Sequence, residues 1–146
     1  MNWKKISIER LREYEARKES LVLIPEQKEA LELSFTAIRS ATTDGTPVQG
    51  GGGNARENAI INNIVKRDEL TRSQEIARRE VEITEKGLAL LTDEQQKILY
   101  HFYIHRTPGH VERLCEQLCY EKSKIYELKD EALKTFTMAI CGVVEV

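Results

Sequence analysis

From Trp3 to Ile38, and again from Ile60 to Leu91, apolar residues return every three or four positions, with Glu, Arg, Lys and Asp filling the gaps. A spacing near 3.6 sustained over thirty-odd residues is the signature of a long amphipathic helix and is incompatible with the two-residue alternation of a strand. In the first segment the stripe is Ile6, Leu11, Tyr14, Leu21, Ile24, Leu31, Phe35 and Ile38; in the second it is Ile60, Ile64, Leu70, Ala77, Val81, Leu88 and Leu91. The second stripe keeps close to a seven-residue repeat, the period of a coiled-coil seam. Residues 54–88 in helical form would extend ~50 Å at 1.5 Å per residue.

Two punctuation signals divide this region. Pro25 lacks an amide donor and crowds the preceding turn, and "PEQK" suits a first helical turn, so a kink or a restart is expected there. Asn54, followed three residues later by Glu57, reads as an N-cap with its reciprocal acid. Between the segments, "SATTDGTPVQGGGG" has no periodicity. Its four glycines invite comparison with a phosphate-binding loop, yet no strand-like run precedes Gly50. The residues after Gly53 are Asn54 and Ala55, not the Lys and Ser/Thr that reach phosphate and magnesium. The stretch is expected to be a flexible connection that lets the two helices fold back as an antiparallel hairpin, coiled-coil-like, over residues 1–90, with the glycine-rich loop at 41–53.

Residues 91–146 have a different grain. "LTDEQQKILYHFYI" opens with Thr92 and Gln95 in capping-box spacing and places Ile98, Leu99, Phe102 and Tyr103 on one face. After a break at Arg106–Gly109, "HVERLCEQL" is a short helix and "CYE" a tight turn. "KSKIYELKDEALKTFTMAI" is a longer helix with Ile125, Leu128, Ala132, Leu133 and Phe136 facing inward. Short helix, brief turn and longer helix is the order of a DNA-binding helix-turn-helix.

Composition limits what else the chain can be. Acids and bases nearly balance, with 24 Asp and Glu against 22 Lys and Arg, so no polybasic domain announces nucleic acid or a membrane surface, and any DNA contact must be local. No apolar run is long enough for a bilayer, and the charges that follow Lys4 and Lys5 do not resemble a secretory leader. Cys115, Cys119 and Cys141, odd in number, point to reduced thiols and a cytoplasmic setting.

The run from Leu91 to Phe136 resembles region 4 of sigma-70-type factors. The matching features are "LTDEQQKIL", Leu114 and Leu118 in the first helix of the motif, and "KIYELKDEALKTF" in the second and beyond. The wider layout, with "RKESLVLIPEQ", "PVQGGGGN" and "NNIVKRDEL", resembles the ArpU/RinA-like late transcriptional regulators of phages and prophages of Gram-positive bacteria. The resemblance implies an all-α fold in which a sigma-like helix-turn-helix recognises promoter DNA and controls late genes, activating them, with RNA polymerase as a further partner. This sequence departs from the sigma pattern at Cys119, where glycine is frequent, and at Glu121, where a Ser or Thr cap is frequent.

By position, Lys122, Ser123, Lys124, Tyr126 and Lys129 are the expected DNA contacts. Lys122, Tyr126 and Lys129 share a face at i, i+4 and i+7. Lys122 and Lys124 could reach phosphate or guanine, Ser123 could bond either base type, and Tyr126 could pack on a thymine methyl or a sugar. Glu127, Asp130 and Glu131 keep open the plainer reading of a solvated face with intrahelical ion pairs. With only three or four lysines available, affinity needs help from dimerisation through the hairpin or from tethering to polymerase. The alternative is an interaction module that holds polymerase or another coiled-coil partner without reading DNA sequence.

No enzymatic activity, metal or cofactor is expected. His101 with His105, and Cys115 with Cys119, are each spaced i, i+4 with His110 between, but zinc needs about four convergent ligands. Cys115 and Cys119 have packing and turn positions that account for them. A Cys–His nucleophile would lack an orienting group and oxyanion donors.

Overall fold

The computed structural model describes residues 1–40 and 52–144. Its elements are α1 (Trp3–Ser40), α2 (Gly52–Ala89), α3 (Asp93–Leu99), a π-helical turn at Tyr100–Ile104, α4 (His110–Leu118) and α5 (Lys122–Cys141). The protein is all-helical, with no strand among the described residues. No described helix is long and apolar enough to cross a membrane. The expected glycine-rich loop falls on residues outside the described ones.

The chain clusters into two units, one of residues 1–18 with 78–146 and one of residues 19–77, and both long helices contribute to each. The units cut across the segments 1–90 and 91–146 drawn from the sequence.

In the first unit two apolar clusters form. The larger joins Leu11 of α1 and Leu91 to Leu99, Ile104, Ala132, Leu133 and Phe136, with Leu88, Tyr14 and Ile140 packed against it. The smaller joins Ile98, Phe102, Val111, Leu114 and Ile125, with Leu118 and Leu128 at its edge. Gly87 is the contact point of α2 with α5: a β-carbon there would lie 2.5 Å from Ile140 Cγ2 and 2.8 Å from Phe136 Cε2. That close approach outweighs the roughly 1 kcal/mol that glycine costs inside a helix. Around this core, Glu80 receives Arg10 at 2.7 Å and Arg17 at 3.2 Å. The Arg10 hydrogen bond holds its carboxyl below the usual range. Tyr14 donates its hydroxyl to Glu85 at 2.8 Å; burial, and then that acceptor, push the phenol up to about 12.

In the second unit Lys28 Nζ reaches Gln74 Oε1 at 3.4 Å and Asn63 Nδ2 donates to the Leu31 carbonyl at 2.8 Å, so advancing along α1 goes with retreating along α2. The two segments therefore run antiparallel within this unit. The Arg67 guanidinium lies 4.8 Å from the Phe35 ring centroid, a cation–π contact in the same seam.

Several local expectations are corrected. The restart expected at Pro25 does not occur, since α1 continues as one helix through it, with Pro25 exposed and Ile24 beside it buried. One missing amide is tolerated because the rest of a long helix keeps its own ladder and burial. Asn54 is not the N-cap of α2, since the helix already includes Gly52. The seam of α2 passes through Asn63, which is buried, and leaves Ile64 exposed. Asn63 holds that place because its amide has a backbone carbonyl to donate to, which lowers the cost of burying it.

The expected single face of α3 is divided as well. Ile98 and Phe102 enter the smaller cluster while Leu99 and Ile104 enter the larger. Ile98 and Leu99, adjacent on α3, already face about 100° apart, and the wider π turn at Tyr100–Ile104 carries the division on to Phe102 and Ile104.

Candidate nucleic-acid interface

The capping box expected at the start of α3 is present: Thr92 Oγ1 accepts from the Gln95 amide at 3.2 Å, and the Gln95 side chain accepts from the Thr92 amide at 3.1 Å. It anchors α3, which carries Ile98 and leads into the π turn that carries Phe102, and α4 and α5 assemble against these two residues. Gly109, with φ of 75°, begins α4 in a left-handed conformation open to glycine at no steric cost. Val111 and Leu114 then bury one face of α4, and Ile125 and the half-buried Leu128 do so for α5. Apolar positions at this spacing fix which side of α5 turns inward and therefore which side is left to solvent.

Residues 119–121 join α4 to α5. Cys119 stands at φ 60° and ψ 40°, a left-handed conformation that strains any side chain bearing a β-carbon. Glu121 is the N-cap of α5, but its side chain makes no capping hydrogen bond. Cys119→Gly is expected to stabilise the protein by up to about 1 kcal/mol, because relief of the left-handed strain exceeds the added freedom of the unfolded chain. The midpoint of urea unfolding reads this; an unchanged or lower midpoint contradicts it.

The five positions expected to touch DNA separate into two groups. Lys122, Ser123 and Lys124 are exposed in the first turn of α5, and Tyr126 is 41% exposed beside them. Tyr126 is also propped edge-on against Phe102, with ring centroids 5.7 Å apart. Lys124 lies 3.9 Å from Glu127, a loose surface pair of small energy.

Lys129 is different: its side chain is 19% exposed, with Nζ 2.8 Å from Asp130 Oδ1. The same nitrogen lies 5.7 Å from the Phe102 ring centroid and 5.8 Å from that of Tyr126. Burial works to lower its pKa, but hydrogen bonds to Asp130 and Tyr103 outweigh it and leave the ammonium held more firmly than usual. Lys129 shares a face with Tyr126 as its spacing required, but its charge is engaged by the protein.

A second group of nitrogen side chains surrounds His101, of which sequence singled out only the three histidines, and those as metal candidates. His101, in the π turn, titrates below its ordinary value, first because of burial and then because Arg113, Lys97, His110 and His105 lie close by. His110 meets the Phe102 ring edge-on at 4.8 Å, and Arg113 donates to Thr107 Oγ1 and to the Pro108 carbonyl. Lys97, Arg113 and the three histidines are scattered over residues 97–113, and the folding of α3, the π turn and the start of α4 brings them near one another. A run of basic residues, the usual signal, is missing.

The three cysteines are free, Cys119 exposed and Cys115 and Cys141 half-buried. Among the described residues no group of three or more His, Cys, Asp or Glu side chains is arranged to hold a metal ion. Comparison with protein-family models, with curated proteins and with solved structures finds no match.

Proposed function

We propose that α4 and α5 act as the helix-turn-helix of a phage-type transcriptional regulator, with α5 entering the major groove of promoter DNA and the protein activating late genes. The observation that carries this reading is the junction itself. Two helices joined by three residues are locked together through Leu114 and Ile125, and the first turn of the second is left exposed with Lys122, Ser123, Lys124 and the adjoining Tyr126. In such motifs the N-terminal residues of the second helix meet base edges, while the first helix crosses the backbone. Lys122 and Lys124 are assigned to phosphate or guanine, Ser123 to a base edge, and Tyr126 to a thymine methyl or sugar. Lys129 takes the role of holding Tyr126 and Phe102 in place.

Charge sets the strength. Lys122 and the loosely paired Lys124 give a salt slope of about −2, so a single copy binds weakly and most of the discrimination comes from direct contacts. The expected result is that Lys122→Glu combined with Ser123→Ala weakens binding to promoter duplexes from the chain's own genomic neighbourhood at least tenfold in mobility-shift titrations, with helical content unchanged by circular dichroism. Lys5→Glu, remote in sequence and exposed, serves as control. Equal affinity of wild type and the double variant contradicts the assignment.

A second reading is favoured by one observation: Glu127, Asp130 and Glu131 offset the three lysines of the same stretch. An electrically neutral face suits docking to a protein such as RNA polymerase without sequence preference. Polymerase capture that survives Lys122→Glu, together with indifference to DNA sequence, would select it.

A further inference from the structure

We infer that the unit formed by residues 19–77 is one half of a two-fold homodimer, closed by the groove between its antiparallel helices against the same groove of a second copy. The seam of this unit has little cohesion of its own. Among the described residues its buried ones are Ile24, Asn63 and Ala77. Asn63 Oδ1 and Arg67 Nε are buried there without a hydrogen-bond partner. A two-helix seam with so few fully buried apolar residues is weakly held by itself, since paired helices depend on apolar knobs filling holes along their contact.

Beside the seam lies an open groove of about 530 Å³ whose lining includes Ala30, Leu31, Lys66, Glu69, Leu70 and Ser73. The same faces extend by helical spacing to Leu23 on α1 and Ile76 on α2, which are 52% and 59% exposed. Large aliphatic side chains left this open at one end of an apolar groove mark a surface made to be covered.

The charges and the small residues identify the occupant. Under a two-fold axis every contact occurs twice with the partners exchanged, so an isologous surface must be complementary to itself. An axis crossing α2 between Lys66 and Glu69 sets Lys66 of each copy against Glu69 of the other. The antiparallel register, with Leu31 bonded to Asn63 and Lys28 to Gln74, places Ala30 of α1 at the same level. Each helix then lies antiparallel to its own copy, with opposed dipoles. The small side chains of Ala30 and Ser73 allow close approach, and Leu31 and Leu70 from both copies fill the middle layer of a four-helix bundle. A partner of unrelated sequence would have to supply this alternation of charge by chance, whereas a second copy supplies it by symmetry.

Sedimentation equilibrium of the full chain tests the inference independently of any DNA. The expected mass is twice the 16.8 kDa of one chain at micromolar concentration. Lys66→Glu and Glu69→Lys, each alone, place like charges against each other across the axis and weaken self-association at least tenfold. An equimolar mixture of the two variants restores the dimer, because each then offers the charge that the other lacks. An ion pair within one helix cannot produce that rescue, and circular dichroism of each variant verifies that both remain folded. A monomeric wild type at 100 µM, which would leave the groove to a helix of another protein, overturns the proposal. So does a dimer indifferent to both substitutions, or a mixture that stays monomeric.

Discussion

Phe136→Ala is expected to lower the stability of the first unit by about 3–5 kcal/mol, the range for a large aromatic truncated in a packed core. Phe136 is fully buried at the centre of the larger cluster, where α5 meets α2 at Gly87 and where Leu11, Leu91, Leu99 and Leu133 surround it. The cavity left by the ring has no flexible neighbour to fill it on the Gly87 side, since glycine brings no side chain. Met138→Ala, two residues further on and half exposed, is expected to change stability by no more than about 0.5 kcal/mol. Urea unfolding followed by circular dichroism measures both. A loss below about 1 kcal/mol for Phe136→Ala would mean that α5 does not hold this core together.

Pro25→Ala is expected to act in the opposite direction, raising stability by roughly 2 kcal/mol. Proline inside a helix is about 3 kcal/mol worse than alanine, because it removes one backbone hydrogen bond and its ring crowds the preceding turn. Alanine returns a donor for the Leu21 carbonyl in the middle of α1, and the greater freedom of the unfolded chain takes back part of the gain. The exposed ring of Pro25 makes no core contact that alanine would forfeit. Thermal melting should show a rise of several degrees. A fall would mean that α1 requires the break that its sequence suggests.

The helices themselves were legible because hydrophobic spacing and capping chemistry are local. Thr92 and Gln95 form their reciprocal cap, and the short helix, turn and long helix from His110 onward fall at the expected residues. Apart from Pro25, the misreadings share one physical origin, which is that tertiary contact decided against the local rule. At Pro25 the hydrogen-bond ladder of α1 on either side carries the helix through the one missing amide. Ile64 lost the seam to Asn63 because a carbonyl of Leu31 was within reach of the asparagine amide. The π turn at Tyr100–Ile104 cannot be read from composition, yet it sets where Phe102 and Ile104 enter the two clusters.

Similar reasoning applies at the candidate interface. The exposure of Lys122, Ser123 and Lys124 follows from the inward spacing of Ile125, Leu128 and Ala132, which the sequence displays. The capture of Lys129 by Asp130 beside the Phe102 ring depends on where the π turn puts Phe102, and no periodicity contains that information. The approach of Lys97 and Arg113 to His101 is hidden for the same reason.

The central claim is that the first turn of α5 reads base sequence. Selection of bound duplexes from a random pool by the full wild-type chain at about 100 mM salt tests it most directly, since sequence-independent attraction enriches nothing. The account predicts enrichment of one short motif, lost when Lys122→Glu and Ser123→Ala are combined. A pool that emerges with its starting composition, alone and with RNA polymerase present, would contradict it.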